Sequence, residues 1–139
     1  MLTTENKALI CRLFAIFNQR DSTPLSTLLA PTFVAHEPDT LIQGVAGVTM
    51  VRLAFPDVQY AIEGDIIASE DKVVTRWTAS GRHQGEVFGI APTGKRITWT
   101  GITIWRIEAG KVVEAWVSRD MLGILQQLGA VPAHAAAHQ

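Results

Sequence analysis

One cysteine, Cys11, stands in the whole chain, so no intrachain disulfide is possible. A chain without disulfides suits a reducing compartment. Clustered positive charge is missing too. The 12 basic residues face 13 acidic ones, for a net charge of -1. Phosphate binding needs a surplus of Lys and Arg on one face, so nucleic acid is not expected as a partner. No window approaches the roughly 18 apolar residues of a membrane span. The opening "MLTTENK" lacks the basic start and apolar stretch of a signal peptide. The expectation is a soluble, cytoplasmic protein with no membrane partner.

Apolar residues are plentiful, at 47% of 139, enough for one core of ordinary size. In "TTENKALICRLFAIFNQRD", Leu9, Leu13, Ile16 and Phe17 share one face at helical spacing, and Ile10 and Phe14 widen it. Cys11 lies off that stripe, which argues against a catalytic thiol. "PLSTLLA" reads as a short second helix with Pro24 in its first turn. "TFVAHEP" reads as a strand, and "GVAGVTMVRLAF" as a third helix ended by Pro56. The period then falls from 3.6 to about 2. "DVQYAIEGDIIAS" and "DKVVTRWTASGRH" form one predicted hairpin, and "KRITWTGITIWRIE" and "KVVEAWVS" another. "MLGILQQLG" is the last predicted helix, closed by Gly129. Residues 131–139 show no packing pattern and are expected to be a flexible tail after a single domain over 1–130.

Helices first and strands in a run predict an α+β fold with an antiparallel sheet. In "ITWTGITIWRI" neither face is plainly polar, which predicts cover on both sides of that strand. A partner subunit, most simply a second copy in a homodimer, is one such cover.

Several residues could carry chemistry. "GIAPTGKR" nearly matches a phosphate loop, but Arg96 stands where a magnesium-binding hydroxyl is needed, and a strand follows instead of a helix. It reads as a turn around Pro92 and Gly94. His134 and His138 are four apart, but Pro132 and the chain end make a metal-binding helix there marginal. His36 and His83 lie in strand-like segments. With Asp120 they would make a two-histidine, one-carboxylate metal set, but their spacing is not specific for one. Arg76, flanked by apolar residues, needs a partner; Asp120, Glu114 and Asp65 are candidates. It is a structural ion pair or a cation for an oxyanion. Asp120 precedes an apolar helix pattern, where Asp is a preferred N-cap. It could also point into the open end of a curved sheet, where apolar surroundings would raise its pKa and make it a base.

The pieces "FPD", "RW…G.H.GE..GI.PTGKR", "RIE.GK..E.W" and "D.LG.L.QLG" stand in one order over Phe55 to Gly129. This stretch closely resembles the SnoaL-like polyketide cyclases, or ester cyclases, of the nuclear transport factor 2-like superfamily. The likeness extends more loosely through "FVAHEP" to the first helix. It implies a curved antiparallel sheet forming a cone-like barrel around N-terminal helices, with an internal pocket. It implies intramolecular aldol ring closure without metal or cofactor. Asp120 would be the catalytic base and His83 the pocket histidine. His36 and Trp99 would line the cavity. Trp77, Trp99, Trp105, Phe88 and Met50 are then candidates to pack on a small apolar or polycyclic carbonyl substrate, and Arg76 to stabilise its enolate. Two other readings stay open. One is an epoxide hydrolase built on Asp120, Arg76 and Asp65. The other is a non-catalytic pocket module that binds a small ligand or only a partner chain.

Overall fold

The computed structural model describes residues 2–37, 40–43 and 46–132, with Thr40–Gln43 and Ala46 described by backbone alone. His134 and His138 lie outside the described residues.

The first helix, α1 (Leu2–Phe17), buries Leu9, Ile10, Leu13, Phe14 and Phe17, the stripe expected from its spacing. Each such side chain contributes roughly 1.5–3 kcal/mol on leaving water. The helix ends where Arg52 of α3 (Ala46–Ala54) donates to the carbonyls of Phe17 and Gln19, the latter at 2.7 Å. A cation there satisfies orphan carbonyls and complements the helix dipole. A single turn, α2 (Leu25–Leu28), leads directly into β1 (Leu29–Glu37), which begins earlier than its sequence suggests.

Six strands form one sheet in the order β2-β1-β6-β5-β4-β3. They are β2 (Thr40–Gln43), β3 (Gln59–Ser69), β4 (Lys72–Arg82), β5 (Arg96–Glu108) and β6 (Lys111–Arg119), with β1. Four of the five pairings are antiparallel. β1 and β6 run parallel, with Ala35 opposite Ala115. The fold is α+β and the sheet is curved, as expected, but it is mixed rather than wholly antiparallel and stays open rather than closing. The β5–β6 hairpin turns through Ala109 (φ 52°) and Gly110 (φ 76°). Two successive positive φ values match the right-handed twist of the strands it joins.

The sheet's inner face carries the core. On β4 it bears Val73, Thr75, Trp77 and Ala79; on β5 it bears Ile97, Trp99, Thr103 and Trp105, all buried. The outer face of β5, expected to be covered, leaves Ile102 and Ile104 exposed beside Trp116. The final helix, α4 (Met121–Gln127), closes the fold next to β5.

Candidate functional site

A cavity of about 90 Å³ lies between the curved sheet, α1 and α3. Its walls are rich in aromatic rings. Trp77, Trp99 and Trp105 come from the sheet, Phe14 and Phe17 from α1, Phe33 from β1 and Tyr60 from β3. The tryptophans are held in place. Thr75 and Thr103 face each other across β4 and β5. The Trp77 Nε1–H donates to Thr103 Oγ1 at 2.9 Å, and the Trp105 Nε1–H to Thr75 Oγ1 at 3.0 Å. Buried polar groups on both strands are thus paired, and their satisfaction fixes the rings.

Three polar side chains reach this apolar space besides Thr103: Glu37, Tyr60 and Arg119. Strand alternation explains two of them. Phe33, Ala35 and Glu37 share the inner face of β1, and Ala115, Val117 and Arg119 that of β6. Because the two strands run parallel, their C-terminal ends meet, and Arg119 Nη2 donates to Glu37 Oε1 at 2.9 Å. The side chains are 19% and 11% exposed, so the pair is largely desolvated. Arg119 Nε is buried with no acceptor among the described residues. Tyr60 is set by Asn18, whose Nδ2 donates to the Tyr60 carbonyl at 3.0 Å while its Oδ1 accepts the Tyr60 N–H at 2.6 Å. Burial pushes the Tyr60 hydroxyl up to about 12, against the opposing pull of Arg119 and Arg52. It is a protonated donor at neutral pH.

Of the residues singled out in the sequence, Trp77, Trp99 and Trp105 line the cavity, and six others stand elsewhere. Asp120 is exposed and caps α4: its Oδ1 accepts the Gly123 N–H at 2.9 Å. His83 is fully buried beyond Phe55, which packs against both its ring and that of Trp99. Its Nδ1 accepts the Thr93 N–H at 3.1 Å, so the proton of the neutral ring sits on Nε2, which is buried without a partner among the described residues. His36 points outward, one residue out of phase with Glu37. It stacks on Trp116 and donates from Nε2 to Glu114 Oε2 at 2.6 Å. Glu114 Oε1 also accepts from Arg106 Nε at 2.9 Å. The His36 hydrogen bond, then the Arg106 one, hold the Glu114 carboxyl below its ordinary range.

Arg76 is exposed on the outer face opposite Glu63 and Ile102. Among the described residues, Arg76 forms no ion pair with Asp120 or Asp65. Phe88, 50% exposed, lies in the loop after β4, and Met50, 58% exposed, on the outer side of α3. Among the described residues, no three His, Cys, Asp or Glu side chains stand close enough to hold a metal ion. The residues missed by sequence reasoning are Glu37, Tyr60 and Arg119. The signal for Glu37 was present in the alternation of "FVAHE", where the apolar phase runs through Phe33 and Ala35 and not through His36.

The fold agrees with comparisons to known proteins. The family model of SnoaL-like polyketide cyclases matches residues 8–128. The chain belongs to the SnoaL-like polyketide cyclase family. AclR of Streptomyces galilaeus, named as a proposed hydroxylase, is 32% identical with a TM-score of 0.87, over 98% of this chain and 88% of its own. IdmH of Streptomyces antibioticus, named as a proposed polyketide cyclase, is 32% identical with a TM-score of 0.75, over 89% and 98%. TsrD of Streptomyces laurentii is 29% identical with a TM-score of 0.81, over 92% and 97%. No curated protein matches the sequence. Similar structures named for different reactions share this fold, so the reaction has to be argued from the site.

Proposed function

We propose that this family member is a cofactor-independent catalyst of carbon-acid chemistry, closing a ring in a carbonyl-bearing small molecule by intramolecular aldol addition. The observation that carries this reading is the Glu37–Arg119 pair, with Tyr60, inside an otherwise apolar aromatic cavity. Glu37 takes the proton from a carbon next to a carbonyl. The C–H electron pair becomes an enolate, whose oxygen is met by Arg119 and the Tyr60 hydroxyl. The enolate carbon attacks a second carbonyl of the same molecule, forming the C–C bond. The resulting alkoxide takes the proton back from Glu37, so the protein is regenerated without an oxidant or reductant. Donors already in place in a space with little water are worth more than in solution. Holding both carbonyls in one fold of the substrate supplies much of the rate.

The sequence reading put the base at Asp120. Its exposed capping position favours Glu37 instead, and the two are separable. The test is proton–deuterium exchange at the methyl group of acetophenone in D₂O, followed by NMR for the wild type, Glu37→Gln and Asp120→Asn. General base catalysis is worth about 10²–10⁴-fold. Glu37→Gln should lose an effect of that order, and Asp120→Asn should keep it. Loss in Asp120→Asn alone would move the base to Asp120. Binding without exchange in the wild type would make the chain a ligand-binding module.

A further inference from the structure

Gly101 stands directly opposite Trp77 across β4 and β5, and both lie on the inner face of the sheet. A Cβ built at Gly101 would come within 2.2 Å of Trp77 Cζ2 and 2.7 Å of Cε2 and Cη2. The Gly101 backbone is not in the left-handed region, so its conformation alone would admit alanine. The indole is what excludes a side chain. Trp77 lies flat on the bare strand, fixed there by its bond to Thr103. Any atom added at 101 would displace the ring from the strand, and the ring borders the cavity.

The volume decides what this arrangement admits. An engineered apolar cavity of roughly 150 Å³ takes up one benzene ring. The present cavity, at about 90 Å³, is smaller, and it is not sealed: α3 contributes Val48 and Val51 to its lining, both only half-buried.

Taking the cavity as the substrate site, as the reading above does, we propose that it accepts a compact ligand whose enclosed part is no larger than a single ring, and that the Gly101–Trp77 contact is the residue pair that sets this limit. A ligand of several fused rings does not enter while the full indole of Trp77 lines the cavity. Gly101 and Trp77 are thus specificity-determining, without a part in the proton transfers.

The test is a size series of aryl methyl ketones: acetophenone, 1-acetonaphthone and 9-acetylanthracene. Binding is followed on the four tryptophan indole N–H signals by two-dimensional NMR. Trp77, Trp99 and Trp105 line the cavity, and Trp116 on the outer face is an internal control. In the wild type, acetophenone should shift the cavity signals and leave Trp116 unmoved, and 9-acetylanthracene should not bind. Trp77→Phe should admit 1-acetonaphthone at least about tenfold more tightly than the wild type does, a change of one decade in Kd. Gly101→Ala should weaken acetophenone by a similar factor. The double variant Gly101→Ala with Trp77→Phe should recover it, which a general packing defect would not produce. If Gly101→Ala does not fold, the Trp77→Phe profile decides alone. Equal binding of all three ketones by the wild type, or an unchanged size order in Trp77→Phe, would overturn the proposal. Glu37→Gln separates it from the reading of function. Size-limited binding without wild-type exchange leaves the size limit standing and removes the catalytic reading. Exchange with no size order does the reverse.

Discussion

Arg119 and Glu37, far apart in the chain, meet at 2.9 Å at the polar end of an aromatic cavity. Little water reaches them, so each needs the other. Breaking a buried pair by removing one partner costs about 3–5 kcal/mol, whereas replacing both can be near neutral. With side chains 19% and 11% exposed, the lower end of that range applies. Arg119→Met should therefore destabilise the fold more than Arg119→Met combined with Glu37→Met. Urea unfolding of the wild type, both single variants and the double closes the cycle. Additive losses would mean the pair is not coupled.

Tyr60 is the only tyrosine, so its titration can be read without interference. Tyrosinate absorbance should give an apparent pKa of about 12, against the ordinary 10.0. The folded value is raised above the unfolded one. Its contribution to stability is therefore complete below about pH 10 and is lost as the pH rises through the folded value. The stability difference between wild type and Tyr60→Phe should shift against the wild type only in that alkaline window.

Asp120 caps α4, and Gly123 makes room for it. A Cβ at Gly123 would lie 2.3 Å from Asp120 Oδ2. Asp120→Ala should lower stability by about 1 kcal/mol, and Asp120→Asn should be close to wild type because Asn caps as well. Gly123→Ala should cost at least as much as Asp120→Ala, because it displaces the carboxylate. Thermal unfolding of the three variants checks the order.

On the outer face, Glu114 joins His36 to Arg106, and both partners lower its carboxyl pKa. A depressed folded value contributes stability above the ordinary 4.5 and loses it as the pH falls through the folded value. The Tm advantage of the wild type over Glu114→Gln should be present at neutral pH and vanish in the acid range. An advantage that persists in acid would assign the effect to packing.

Much of this was legible in the chain. The α1 stripe, the two predicted hairpins and the cap at Asp120 follow from local periods and residue preferences, which neighbours in sequence decide. The alternation of β5 set its inner row of Ile97, Trp99, Thr103 and Trp105, although the apolar outer row hid which face was buried. The family pattern carried the fold class for the same reason: it records spacing along single elements.

The site was not legible, because it depends on which strands become neighbours. Glu37 and Arg119 lie at the ends of two strands more than seventy residues apart. They meet only because β1 and β6 pair in parallel, which brings the two C-terminal ends together; antiparallel pairing would have left them at opposite ends of the sheet. His36 faces outward by the same registration, since a shift of one residue turns every side chain to the other face. The sequence by itself determined the elements, their apolar faces and the residue types at their ends. Tertiary structure alone decided which of those ends share one enclosed space, because strand pairing is settled by burial over the whole chain and not by any local stretch of it.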